Sequence, residues 1–416
     1  MRVLLTGAGG LIGTAVRARL WLDGHDVVAV GRRGACDVNL DLRGTTPEAW
    51  APHLAGIEAV VNCAGVLQDG SGDSVSGVRQ GLDALFAACE RRGIRRIIQI
   101  SAIGVDETAP TAFSQSKRDG DAALMARDLD WVVLRPSVVV GRQAYGGSAL
   151  FRGLAALPVL PVPPATGGMD VVQLGDVAAT VSFFLRPGAP AQLMLDLAGP
   201  ERLDFAGLVA AYRRWLGWPP ARLLPLPAGI FAAACRLGDL AGRLGWRPPV
   251  RSTAWAEMAK GAMGDPGAWT AATGIRPQGL TAALSASPAG VQERWFARAY
   301  LAKPLLIAGL SLFWIVTGLI ALGPGRAQAL AVLDQADAPR WLAFAGALAD
   351  IAIGAAIARR ASVRAGLWAA IGLSMLYLVG ATILTPALWL DALGPIVKIL
   401  PIILVHVAAL ALIEDR

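Results

Sequence analysis

Thr6-Gly-Ala-Gly-Gly-Leu-Ile-Gly13 decides how the first half of the chain is read. It follows the apolar residues 3–5 directly and opens a helical pattern over 11–22. Glycines at 7, 10 and 13 give a GxxGxxG spacing. In a strand–turn–helix setting one glycine makes the tight turn, one admits a phosphate to the backbone and one lets the helix pack close. The free N–H groups and positive dipole end of the helix then suit an anion. Thr6, Gly7, Gly10, Leu11, Ile12 and Gly13 are therefore expected to cradle a pyrophosphate.

Outward from the loop, short apolar runs at 3–5, 27–30, 59–62, 97–100 and 132–134 alternate with helical stretches at 11–22, 78–92 and 114–126. Strand–helix alternation of this kind predicts an α/β fold, a doubly wound parallel sheet with ligand at the carboxyl ends of its strands. The second strand ends Ala29-Val30-Gly31-Arg32-Arg33, without the acid that would hold the ribose hydroxyls of NAD. Two guanidinium groups stand there instead, suited to a 2′-phosphate, so NADP(H) is expected over NAD(H). Solvated arginines are the plainer reading of Arg32 and Arg33. Asp41-Leu42 is expected to border the adenine. The turn Asn62-Cys63-Ala64-Gly65 would pass beneath the adenosine ribose, where only small residues fit.

These motifs resemble the short-chain dehydrogenase/reductase superfamily in its extended and atypical forms, NmrA-like and complex I accessory-subunit-like proteins included. Leu134-Arg-Pro-Ser-Val-Val-Val-Gly141 and Val171-Val-Gln-Leu-Gly-Asp-Val-Ala178 match two later segments of extended members. The resemblance covers residues 1–295, loosely after 200. It implies an NAD(P)-binding Rossmann fold and carbonyl or alcohol oxidoreduction, with Arg135, Pro136, Ser137 and Val138 near the nicotinamide. Family catalysis uses a Tyr-x-x-x-Lys pair on one helix face. The matching stretch is Phe113-Ser-Gln-Ser-Lys117, so the lysine is present and the proton-donating tyrosine is not. Lys117 is expected to hold ribose hydroxyls, and Ser101 is the candidate for the usual serine. Three outcomes stay open: a reductase for acceptors that need no tyrosine, nucleotide binding without turnover as a sensor or scaffold, or proton supply by Ser114 or Ser116.

Composition is uneven along the 416 residues: 55% are hydrophobic and only 17% charged, with most of the apolar excess after Leu301. The net charge of +7 has no basic run interleaved with aromatics, which excludes an evident nucleic-acid site. It suits an anionic cytoplasmic leaflet, or reflects an arginine-rich composition alone. Cys36, Cys63, Cys89 and Cys235 are scattered, as are His25, His53 and His406, so neither a disulfide framework nor a metal site is expected. No signal-peptide pattern is read before the first strand, so the first domain is expected in the cytoplasm.

Three parts are expected: an NAD(P)-binding domain over 1–203, a cap over 204–297 and a membrane part over 298–416. Within the cap, 229–246 mixes bulky apolar residues with Arg236, Asp239 and Arg243 and reads as a packed helix or an interfacial one. Four apolar segments follow, at 305–322, 342–358, 367–384 and 396–413, each near the lower limit for a bilayer span. Arg359, Arg360 and Arg364 between the second and third put that loop, and both ends of the bundle, inside at the plasma or inner membrane. By span number and the string 346–354 this tail resembles the DoxX-like family. Asp350 and His406 fall within spans and are expected to face the bundle interior, for a proton path, a quinone head group or packing, while Lys398 snorkels. The anchor favours a lipophilic or quinone-like acceptor. A membrane-protein partner, or a transporter with a regulatory nucleotide domain, stays open.

Overall fold

The computed structural model describes residues 1–32, 36–67, 69, 74–105 and 111–413. The chain divides into two compact units, 1–240 with 248–297 and 241–247 with 298–416.

The first unit is built on seven strands: Arg2–Thr6 (β1), Asp26–Gly31 (β2), Val38–Asn39 (β3), Ala59–Asn62 (β4), Arg96–Ile100 (β5), Asp130–Pro136 (β6) and Leu193–Leu197 (β7). They pair in parallel in the order β7-β6-β5-β4-β1-β2-β3, so the order reverses between β1 and β4. Both faces are covered, which is why the strands read as unbroken apolar runs. Val3, Leu5, Val61, Ile98 and Val132 point into one core with Val16, Leu20, Val181 and Phe184. Leu4, Val60, Ile97 and Val133 point into the other, with Trp50, Leu82, Leu85 and Phe86.

The flanking helices start where local chemistry stops an extended chain. Ser74 accepts from the Gly77 N–H to open Val75–Arg92, and Gly93, in the left-handed region, ends it. Thr111 and Ser114 form a capping box at the head of Ala112–Met125. The doubly wound reading is correct. The β7 strand and the two-residue β3 are additions to it.

Five helices lie in the cap stretch, among them Phe205–Trp215, Ala228–Arg243 and Ser252–Lys260. From a further helix, Gly267–Thr273, Trp269 joins the sheet core fully buried and donates from its indole N–H to Thr180 Oγ1 at 2.9 Å.

Val291–Leu322, which belongs to the second unit from residue 298 onward, and Trp341–Ala358 and Val363–Leu384 within that unit are long and apolar enough to cross a membrane. The expected fourth span is shorter than the sequence pattern: turns through 392–398 delay the helix to Ile399–Leu412, 14 residues. That is about 21 Å of helix against roughly 30 Å of bilayer core. A helix not anticipated, Arg326–Gln335, lies between the first two. Tight crossings rest on small residues: a Cβ on Gly318 would fall 2.5 Å from Ala347 O, and one on Gly354 would fall 2.7 Å from Ser311 O. Asp350 and His406 are both buried, with separate partners. Tyr377 Oη donates to Asp350 Oδ1 at 3.0 Å, and Trp314 Nε1 donates to His406 Nε2 at 2.8 Å.

A Cβ on Gly13 would stand 2.1 Å from the Gly7 carbonyl oxygen, whereas one on Gly9 would meet nothing within 4 Å. Gly13→Ala is therefore expected to destabilise the first unit by roughly 1–3 kcal/mol. Gly9→Ala should stay within about 0.5 kcal/mol of the parent. Thermal unfolding of both variants in detergent checks the contrast.

Candidate nucleotide site

The glycine loop stands at the reversal between β1 and β4, where a doubly wound sheet opens a crevice at its strand ends. Gly7 has φ +69°, and a Cβ there would lie 2.6 Å from Ala64 N and from the Cys63 carbonyl carbon. The loop is thus seated directly on the Cys63–Ala64 turn. A buried polar ladder fixes that turn in register. Thr6 Oγ1 donates to Asn62 Oδ1 (2.5 Å), which also accepts from Ala64 N (2.9 Å), and Asn62 Nδ2 donates to Gln99 Oε1 (2.6 Å).

Gly10 caps the following helix, Leu11–Leu22, with no side chain, and the first turn carries no acid. The amides of Leu11, Ile12 and Gly13 have no preceding helical carbonyl to bond. Their orientation leaves a helix start suited to phosphate oxygens.

At the end of β2 no acid follows Gly31. Arg32 comes next, and Arg33 lies outside the described residues. The nearby Asp37 is engaged with backbone, accepting from Ala29 N at 2.7 Å. Asp41 grips the Arg43 guanidinium at 2.9 and 3.0 Å, which together with a backbone bond and the charges of Arg43 and Arg32 holds its carboxyl below the usual range despite partial burial. Leu42 is buried, its carbonyl pressed against Gly81.

Phe113 and Lys117, one helical turn apart, line a small cavity together with Ala64, Gly65 and Ser116. Lys117 Nζ donates to Ile100 O at 2.7 Å and reaches Ala64 O at 3.5 Å. Desolvation lowers its pKa, opposed by the Asp121 carboxylate and Cys63. Desolvation also pushes the Cys63 thiol up to about 12, so it stays protonated.

Ser101 does not join this cavity. It is buried with its hydroxyl donating to Asp121 Oδ2 at 2.6 Å. Arg135, also buried, approaches the same oxygen at 3.4 Å. Burial raises the Asp121 pKa against the hydrogen bond from Ser101 and the charges of Lys117 and Arg135. Ser114 is equally committed: fully buried, it donates to Glu257 Oε1 at 2.8 Å, and Lys260 holds the same carboxylate at 3.1 Å. Ser116 Oγ points to Val75 O at 3.4 Å. Pro136 closes β6, the Ser137 hydroxyl donates to the Asp170 carbonyl and Val138 is half-buried beyond it.

Sequence reasoning missed Gln99, Asp121 and Glu257. Two of them left a signal: Gln99 is the polar residue inside an apolar strand, and Asp121 stands four residues after Lys117 on one helix face.

A family model described as NAD(P)H-binding matches residues 7–153, and one for the DoxX-like family matches residues 311–407. Two stretches of the chain thus match family models, an NAD(P)H-binding one in the first half and a DoxX-like one near the end. A relative from Caulobacter vibrioides, ceramide reductase, is 26% identical over 242 residues, 56% of this chain and 75% of that protein. Among solved structures, UDP-glucose 4-epimerase of Thermus thermophilus in complex with NAD shares the fold at 20% identity and TM-score 0.51, covering 68% of this chain and 98% of its own. A short-chain dehydrogenase/reductase superfamily protein of Agrobacterium tumefaciens with bound NAD does so at 15% and 0.52, covering 73% and 99%. The match over residues 7–153 supports a nicotinamide dinucleotide as the ligand of this domain.

Asp121 is the counter-charge for Lys117 and Arg135 in a buried cluster. Its removal takes the buried counter-charge from both cations, so Asp121→Ala is expected to cost about 3–5 kcal/mol. Asp121→Asn, which keeps an acceptor for Ser101, should cost less. Thermal unfolding followed by tryptophan fluorescence measures both.

Proposed function

We propose that this chain is a membrane-attached, NADP(H)-dependent oxidoreductase, with its nucleotide domain on the cytoplasmic side, that passes hydride to a lipophilic or quinone-like acceptor. The observation that carries the reading is the loop seated on Cys63–Ala64, beside a lysine-lined cavity, in the same chain as helices long and apolar enough to cross a membrane. Residues 1–203 would form the nucleotide domain, 204–297 its cap and 298–416 the anchor.

The amides of Leu11, Ile12 and Gly13 would hold the pyrophosphate, and Arg32 with Arg33 the 2′-phosphate. Lys117 would hold the ribose, and Ser137 and Val138 would flank the nicotinamide. The bound nicotinamide supplies a hydride. The matching proton must come from elsewhere, because Phe113 has none to give. Lys117 lines the cavity together with Arg79, and of the two its lowered pKa makes the lysine the proton donor, a better acid than an ordinary lysine. Positive residues after the second span, Arg359, Arg360 and Arg364, support the cytoplasmic orientation. The Caulobacter relative is named for a lipid, which supports a lipophilic acceptor.

A second reading, NADP(H) binding as a sensor or scaffold without turnover, is favoured by Phe113 alone. Titration with NADPH and NADH by fluorescence, followed by NADPH oxidation with a soluble quinone, separates the two. Tight NADPH binding with no turnover on any acceptor sinks the reductase reading. A solute flux in vesicles that depends on Asp350 would favour a transporter over both.

Arg32→Ala is expected to weaken NADPH binding about tenfold while leaving NADH nearly unchanged, as for one lost charge-assisted contact. Equal loss for both nucleotides would remove the 2′-phosphate role. Turnover that uses the protonated Lys117 should fall as pH rises through its lowered pKa, below the alkaline limit of a free lysine. Phe113→Tyr should raise the rate, and a pH profile that is flat in the parent would rule out Lys117 as the acid.

A further inference from the structure

The helix Ala228–Arg243 has three faces. One is packed: Phe231 meets Trp255 edge-on at 4.3 Å, Cys235 is 4% exposed, and a Cβ on Gly238 would fall 1.8 Å from Val250 O. A second face is apolar and open. Ile230 is 60% exposed, Leu237 67%, Leu240 52% and Leu244, just past the helix, 41%. Spaced at intervals of seven, three and four, these residues fall on one stripe at about 100° per residue. The third face carries the exposed Arg236 and Arg243, seven apart along the edge of that stripe.

What meets the open stripe follows from where the chain goes next. At residue 241 it enters the second unit. Trp246 Nε1 donates to Ala358 O at 2.7 Å, Arg360 N donates to Leu244 O at 3.0 Å, and the Arg360 guanidinium sits 5.5 Å over the Trp246 ring. Ala358 is the last residue of an apolar helix long enough to span a membrane, and Arg359 begins the charged turn after it. Residues 244–246 are therefore bonded at the level where that helix leaves the apolar layer. Leu237 and Leu240 precede residue 241 on the same helix, by four positions and one.

We propose that the Ile230–Leu237–Leu240–Leu244 stripe is a lipid-binding surface, lying in the headgroup–acyl boundary of the membrane that the second unit spans. Arg236 and Arg243 at its edge take the phosphates of anionic phospholipids. An apolar stripe bordered by arginines is the arrangement of helices that lie in this boundary. Leucine side chains enter the acyl region while guanidinium groups remain among the phosphates. The surface rests on the reading of the second unit as membrane-spanning and is independent of the nucleotide.

The full chain, reconstituted in vesicles of phosphatidylcholine and phosphatidylglycerol, would carry a photoreactive benzophenone amino acid in place of Leu237 or Leu240. A control carries it at the exposed Arg214 on Phe205–Trp215. Illumination with radiolabelled lipid is expected to give several-fold more lipid adduct at 237 and 240 than at 214. Arg236→Gln with Arg243→Gln should lower the share of phosphatidylglycerol in those adducts. Adduct at the control level, or cross-links from 237 and 240 to a second copy of the chain, would overturn the proposal. Lipid adducts that persist in a chain found not to bind NADPH would support it while counting against the nucleotide reading alone.

Discussion

The contact between Gly7 and the Cys63–Ala64 backbone constrains the rest of the first unit. It brings two loops from non-consecutive strands within van der Waals distance at the reversal of the sheet. A side chain at 7 would part them, and one at 13 would lift the helix Leu11–Leu22 from the loop. Because that helix is locked, its free amides are held in one direction before any ligand arrives. The ladder Thr6–Asn62–Gln99 serves the same end from below, since three buried polar side chains satisfy one another only in this register.

A second constraint separates binding from catalysis. Lys117 and Arg135 both face the Asp121 carboxylate in a buried cluster, and burial is opposed there by that pairing for Lys117 and Asp121. Lys117 is held by two backbone carbonyls whether or not a tyrosine precedes it by one turn. The lysine therefore has a structural reason to be present that is independent of proton transfer. Replacing tyrosine by Phe113 removes an acid from the cavity without disturbing the cluster beneath.

What was legible in the sequence was local. The glycine spacing and the doubly apolar strands are each dictated by neighbours in the chain, and the doubly wound sheet follows from them. The edge strand Leu193–Leu197 escaped because its identity depends on register with Asp130–Pro136, some sixty residues earlier. Ser101 shows the same limit at the site: its place at a strand end was readable, but the direction of its hydroxyl is set by Asp121 across 20 residues. The fourth apolar segment was overestimated for a different reason. Hydropathy does not register the turns around Gly394 and Pro395, which consume the first residues of the run.

Within the membrane part, the two polar residues that hydropathy singled out are each satisfied by an aromatic donor. Asp350 accepts from Tyr377, and His406 accepts from Trp314. A proton relay through the bundle requires groups in hydrogen-bond reach of one another, and among the described residues no hydrogen bond joins these two pairs. Each pair instead ties one helix to another: Trp341–Ala358 to Val363–Leu384, and Val291–Leu322 to Ile399–Leu412. In an apolar medium such bonds compete with little water, so sliding a helix along its neighbour would strand a polar group. Ser311 Oγ adds a third bond, donating to Gly354 O at 2.8 Å where glycine permits the close crossing, and with the crossing at Gly318 these bonds set the register of helices that are otherwise largely apolar.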